Sequence, residues 1–334
     1  MNNTLSFYVQ RYFISHLIGR HNYGKNTVSS YRDTFKLLQL FLNEHGRRKK
    51  NLLLSEVDKD CVVRFLEWLD STRGNSPATR NVRLAHLKSF FHYVQNEEPS
   101  FAWQCEKVMN IPFAKVEKHA PVYMNEDSVS CMLHSINSET KEGLRHLAIL
   151  SLLYDSGCRV QELIDLKVKD VQFEKGQRIY VHGKGNKYRE IPITPATEKI
   201  LKKYLKAFPY RADELLFTNR KGEALTRQGI RYILQKYAAE VDDPHVNSAG
   251  EKIHPHLLRH SKATHLVNAG INIFNIRDFL GHSSVVTTQV YLTSNPEITR
   301  KAIEKTASKT VPESMDYYST EEKQSLMEFL ETLI

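Results

Sequence analysis

Apolar residues recur at three- and four-residue spacing through the first third of the chain, and the pattern there never shifts to the alternation of a strand. Between Asn26 and Glu44, Val28, Tyr31, Phe35, Leu38 and Leu42 form one stripe, with Asn26 or Thr27 able to cap its start and Gly46 to stop it. A second helix is expected from Glu56 to Leu69 on Val57, Val63, Leu66 and Leu69. A third opens at Ser76-Pro77, where serine caps and proline suits the first helical position, and continues through Leu84, Leu87, Phe91 and Val94. The stretch IPFAKVEKHAPVYM, Ile111 to Met124, loses this period and carries two prolines, which marks a linker. The expected organisation is a helical domain over residues 1–111, a linker over 112–124 and a second domain over 125–334.

Past the linker, Glu126–Ile136 and Leu144–Tyr154 return to helical spacing, and Gly157 suits a left-handed stop. A short helix with Arg159 and Glu162 three positions apart follows, a spacing that also fits a surface salt bridge of little value. The period then switches. Lys167–Phe173, Arg178–Gly183 and Lys187–Ile193 alternate and are broken by glycines, predicting a small antiparallel sheet whose last two strands meet at a Gly-Lys-Gly turn with Lys184 at its tip. Helices over Pro195–Ala207 and Thr226–Val241 lead into a polar loop, Asp242–Lys252, and then into the histidine-rich stretch His254–Tyr291. After it, Pro296–Lys305 reads as a helix, and Thr320–Leu333 as an amphipathic one that needs its own domain or a neighbour to pack against. The fold class is therefore mainly α with a small antiparallel β-sheet in the C-terminal domain.

A length of 334 residues fits two cores, and 41% hydrophobic with 25% charged residues is an ordinary globular composition. The longest apolar run, Leu147–Tyr154, is too short for a bilayer, and the N-terminus lacks the order of a signal peptide; a cytoplasmic protein is expected. Cys61, Cys105, Cys131 and Cys158 sit apart in apolar patterns, as buried reduced thiols do. A net charge of +9 favours a polyanionic partner. Arg32 and Lys36 on the first helix, and Arg80, Arg83 and Lys88 on the third, stay off the apolar stripes; they are either solvated faces or phosphate contacts along a DNA groove.

His256 and His260 stand four apart, as two zinc ligands do, but Leu257 occupies the place of the zincin glutamate and no third ligand follows at a useful distance. No metal is expected. Arg159, Glu162, Lys184, His256, Arg259, His282 and Tyr291 suit another chemistry. Two arginines can grip the nonbridging oxygens of one phosphate, a lysine can protonate a leaving alkoxide, and a histidine can take a proton from an attacking hydroxyl. A tyrosine, with a free pKa of ~10, needs such help to act as a nucleophile.

In their order, SGCRVQEL, HGKGNKYREIP, HPHLLRHSKATHL and LGHSSVVTTQVY resemble the tyrosine recombinase (phage integrase) family over about residues 125–291, and the helical N-terminal part resembles that family's core-binding domain more loosely. The resemblance implies that Arg159 and Arg259 clamp the scissile phosphate, Lys184 is the general acid on the 5′ oxygen, and His256 is a base or hydrogen-bond partner. It makes His282 a second phosphate contact, Glu162 the supporting acid and Tyr291 the nucleophile. It further implies a 3′-phosphotyrosyl intermediate, a Holliday junction, no cofactor, and a homo-tetramer on two double-stranded DNA recombination sites. The tail over about 296–334 would then dock on a neighbouring subunit. A simple two-domain design without an arm-site-binding module is expected, serving integration or excision of a mobile element. Chromosome-dimer resolution, nicking and closing as in a type IB topoisomerase, and non-catalytic DNA-binding regulation are the alternatives.

Overall fold

The structure is a computed structural model and describes residues 3–45, 51–117, 121–174, 176–182, 188–208, 210–243, 253–291 and 320–332. The chain divides into two compact units, Met1–Lys118 and His119–Ile334.

The first unit is helical. Its elements are α1 (Leu5–Arg11), which runs on as a π-helical segment Tyr12–Arg20, then α2 (Lys25–Glu44), α3 (Lys59–Ser71), α4 (Pro77–Glu97) and α5 (Ala102–Met109). Side-chain caps set two starts: Asp58 accepts from the Cys61 amide, and Ser76 from the Thr79 amide with Pro77 in the first turn. The apolar stripes meet in one core of Tyr12, Leu42, Phe65, Leu66, Leu87 and Phe91, all essentially without exposure. Deep in it, the Tyr12 hydroxyl donates to Ser89 Oγ at 2.8 Å, which satisfies the one polar atom of a fully buried aromatic side chain. The π-helical turn has no forerunner in the sequence pattern.

The second unit holds α6 (Glu126–His134), α7 (Lys141–Ser156), α8 (Val160–Asp165), strands β1 (Val171–Gln172), β2 (Arg178–His182) and β3 (Tyr188–Pro192), and then α9 (Pro195–Ala207) and α10 (Arg227–Ala238). It continues with α11 (His256–Asn268), α12 (Ile273–Leu280), α13 (Val286–Gln289) and α14 (Thr320–Glu331). Asn125, Thr140, Thr194 and Thr226 each cap a helix by accepting an amide. The sheet is antiparallel in the order β1-β2-β3, with Ile179 opposite Ile191 and Val181 opposite Arg189. Ile179, Val181 and Ile191 turn inward onto the core of α7 and α9, so the two-residue period puts Arg189 on the inward face as well.

Some expectations need correction. The strand expected over Lys167–Phe173 is instead a 3₁₀ turn, Val168–Asp170, followed by the two residues of β1; the Asp170 carboxylate accepts from the Lys167 amide and closes the turn. Cys131 is exposed, whereas Cys61, Cys105 and Cys158 are buried. The helix expected over Pro296–Lys305, most of the loop Asp242–Lys252, and Lys184 lie outside the described residues. Among the described residues, no helix is long and apolar enough to cross a membrane, and no group of three or more histidine, cysteine or acidic residues is arranged to hold a metal ion.

Candidate active site

The site forms where two helices end in glycine. Gly157 closes α7 and Gly281 closes α12, each in the left-handed conformation with φ of +54° and +65°. Helix C-termini leave carbonyls without amide partners and carry the negative end of the helix dipole, so they attract cations. Two arginines answer. Arg259, at the end of the first turn of α11 and only 3% exposed, donates through Nη1 to the Gly157 carbonyl and through Nη2 to the Leu280 carbonyl, both at 2.6 Å. Arg159, which precedes α8, donates through Nη2 to the Gly281 carbonyl at 3.0 Å and through Nη1 to Glu162 Oε1 at 2.8 Å.

Glu162 is buried, so its link to Arg159 is not the surface pair that the spacing alone allows. Its Oε2 accepts from the Arg159 amide at 2.8 Å and from Arg189 Nη2 at 3.1 Å. Burial by itself would raise this carboxyl; the Arg159 amide and the two guanidinium groups outweigh it and hold the group below the usual carboxylate range. Burial, and after it Arg159, brings Arg259 down to about 10, which leaves it cationic at neutral pH. Three guanidinium groups thus stand near one carboxylate, which bonds Arg159 and Arg189, and the surplus of positive charge suits an anion such as a phosphate.

Arg189 was not among the residues singled out from the sequence. An arginine that shares the inward face of Ile191 was the available signal, because a strand rarely turns a charge toward its core without a partner. It fills the space over Gly281, where an added Cβ would lie 1.9 Å from Arg189 Nη1.

The histidines follow the same wall. His282, just past Gly281, shares a 2.9 Å hydrogen bond between Nδ1 and Thr288 Oγ1, which fixes the ring plane and leaves Nε2 for another partner. Burial and then Arg259 push it down to about 4, so it is neutral near pH 7. His256 opens α11 and is exposed on its outer side, with its pKa lowered by partial burial and by Arg259. Tyr291 lies in a small apolar cluster with Ala263, Val267, Ile276 and Leu280 and is 2% exposed. Burial raises its phenol against the opposing pull of Arg259. Its Oη sits 2.7 Å from Nδ1 of His260, a residue outside the set grouped from the sequence.

The structure therefore brings Arg159, Glu162, Arg259, His282 and Tyr291 together through direct bonds and mutual fields, with His256 one turn before His260 on α11. Four of the five basic residues singled out in the first unit have described partners. Arg80 pairs with Asp70 at 3.0 Å, and Arg83 Nη1 donates to the Ser30 carbonyl and to Thr34 Oγ1. Lys88 lies 4.4 Å from the Phe113 ring centroid. Arg32 is exposed beside Asp33, and Lys36 is exposed.

With this geometry in hand, comparison with known proteins gives a consistent picture. The Phage integrase family matches residues 122–297, and the Phage integrase N-terminal SAM-like domain matches residues 10–98. The chain is 33% identical to a tyrosine recombinase XerC of Roseiflexus castenholzii over 85% of this chain and 88% of that one. It is 32% identical to a tyrosine recombinase XerD of Listeria monocytogenes over 84% of this chain and 91% of that one. Among solved structures, the XerH site-specific recombinase bound to its difH substrate in a pre-cleavage complex is similar, with a TM-score of 0.63, 26% identity, and coverage of 84% and 80%.

Proposed function

The chain belongs to the phage integrase family of tyrosine recombinases, and from that premise we propose that Arg159, Arg259 and Tyr291 cut and rejoin DNA at a specific site. Members of this family are enzymes of site-specific DNA recombination, and that general activity is this chain's. The assignment of steps to residues is our reading.

The observation that carries it is the charge surplus at the two helix ends. A phosphodiester brings one negative charge to a place where three guanidinium groups stand near one carboxylate, and the attack adds a second in the transition state. Arg159 and Arg259 each keep N–H groups beyond those given to carbonyls and Glu162, and these take the nonbridging oxygens. His282, oriented by Thr288, offers Nε2 to the same phosphate, and His256 acts as base or hydrogen-bond partner. Tyr291 Oη forms the bond to phosphorus, the bond to the 5′ oxygen breaks, and Lys184 protonates that oxygen. The 3′-phosphotyrosyl link keeps the energy of the diester, so a 5′ hydroxyl from a partner duplex reverses the step and passes through a Holliday junction.

Four copies on two duplexes are the assembly this reading requires. Helix α14 suits a contact between them, because Leu326, Met327, Phe329 and Leu330 are all 47% exposed or more. Integration or excision of a mobile element is the biological role we put first. Resolution of chromosome dimers is the second, favoured by the identity with XerC and XerD over most of the chain.

The test starts from a duplex selected by the protein out of a random pool and nicked so that the 5′-hydroxyl fragment diffuses away after cleavage. Wild-type protein is expected to accumulate as a covalent complex and Tyr291→Phe is not. Equal trapping of both would overturn the reading. Relaxation of supercoiled DNA without recombinants from paired sites would point to a nicking-closing enzyme, and specific binding without any cleavage to a regulator.

A further inference from the structure

Resting on the nucleophile reading of Tyr291, we propose that His260 is the group that takes the proton from the attacking phenol and returns it on rejoining. The contact is direct: His260 Nδ1 lies 2.7 Å from Tyr291 Oη, inside the hydrogen-bond range. The rings stand 5.7 Å apart at 48°, and Tyr291 is 2% exposed, so water has little access to compete for that proton. With its own ring proton on Nε2, His260 presents a lone pair at Nδ1 to the hydroxyl. That tautomer is the one that can carry the proton away.

Charge decides when the transfer happens. His260 is half-buried, and that partial burial, with His256, His254 and Arg259 around it, disfavours a second proton, so the ring is neutral before DNA arrives. A phosphate in the arginine clamp brings negative charge toward the same ring, and the attack adds more; both favour imidazolium. In the forward step the Oη–P bond forms, the proton leaves Oη for Nδ1, the P–O5′ bond breaks and the 5′ oxygen gains its proton from the opposite side. In rejoining, a 5′ hydroxyl attacks phosphorus and gives its proton back to Lys184, the Oη–P bond breaks, and the imidazolium hands its proton to the departing phenolate. No other reagent is required. His256, whose ring centroid is 6.3 Å from that of His260, stands next in line toward the phosphate.

The experiment compares His260→Ala, His260→Asn, Tyr291→Phe and wild type in single-turnover trapping on the nicked duplex, alongside binding to the uncut duplex. Asparagine can place an acceptor near the Nδ1 position and so keeps the hydrogen bond while losing the basicity. Both His260 variants are expected to bind as wild type does and to trap about 100-fold or more slowly, in line with loss of a proton acceptor. A 5′-bridging sulfur, which leaves without needing a proton, is expected not to restore them. Trapping by His260→Asn within about threefold of wild type would overturn the proposal, since it would reduce His260 to holding the hydroxyl. Rescue of both variants by the sulfur substrate would overturn it as well, by moving the defect to the leaving-group side. So would failure of both variants to bind DNA, which would make His260 a residue of the fold. Covalent trapping of Tyr291→Phe would instead sink the nucleophile reading itself, and is seen separately.

Discussion

Replacing Glu162 with glutamine tests how the clamp is held. The change keeps the side chain's shape but removes the carboxylate that Arg159 and Arg189 share. Breaking a buried pair from one side costs ~3–5 kcal/mol. Arg159 is 38% exposed along its side chain, so water recovers part of that, and the amide oxygen still accepts from one partner while its NH₂ faces another donor. About 2–3 kcal/mol is therefore expected, which in a unit of this size is roughly 5–10 °C of melting temperature. Because the same carboxylate aims Arg159, cleavage should slow by about 100-fold, the order lost when a catalytic group is misplaced by ~1 Å. A double-mutant cycle with Arg189→Gln, read by denaturant unfolding, should give a coupling of about 1–3 kcal/mol. The sign with pH follows from the carboxyl being held low in the folded state: its contribution is present above the unfolded value of ~4.3 and is lost as pH falls through the folded value. Wild type and Glu162→Gln should then differ most at neutral pH and converge in acid. Additivity within ~0.5 kcal/mol, or unchanged cleavage by Glu162→Gln, would refute the argument.

Gly281→Ala adds a Cβ 1.9 Å from Arg189 Nη1 at a backbone φ of +65°. Left-handed strain of ~1 kcal/mol plus displacement of Arg189 should lower stability by ~2 kcal/mol and slow cleavage, measured by thermal melting and covalent trapping. His146 and His282 are both pushed by burial from the ordinary imidazole value of 6.5 down to about 4. Lowered histidines stabilise fully above 6.5 and lose that contribution as pH falls toward 4, so melting temperature should drop across this window, and His146→Gln should flatten the drop. Deleting residues 320–334 should leave the main melting transition in place, because the described side chains of α14 are exposed, while lowering self-association on DNA in analytical ultracentrifugation. Phe65→Ala, in the core of the first unit, should cost ~3–5 kcal/mol in denaturant unfolding of that unit.

Local signals carried the helices well, because their starts are written in adjacent residues. Ser76-Pro77 and Asn125 cap where the sequence places them, and Gly157 takes the left-handed turn that ends α7. The segment over 167–173 misled because Val171 and Phe173 alternate with polar residues, while the Asp170–Lys167 turn that wins is a side-chain bond that periodicity does not register. The π-helical turn Tyr12–Arg20 depends on packing against Tyr31, Phe90 and Tyr93, which are distant in sequence. At the site, Arg159, Arg259, His282 and Tyr291 were legible as residue types in order. Arg189 and His260 were not, since the worth of each comes from a partner 27 and 31 positions away. The pair His256 and His260 drew attention as possible ligands for a metal, whereas His260 turns to a phenol instead.

The way the arginines are seated also bears on how this protein tolerates change. Of the four acceptors described for the Arg159 and Arg259 Nη groups, three are main-chain carbonyls, those of Gly157, Leu280 and Gly281, and one is the Glu162 side chain. A point mutation cannot delete a carbonyl. The clamp is thus vulnerable at few genetic positions: the arginines themselves, Glu162, and the two glycines that aim the backbone. Libraries that vary the DNA-reading surface while sparing those codons should retain chemistry in most of their members, which makes retargeting a search over contacts and not over the reaction.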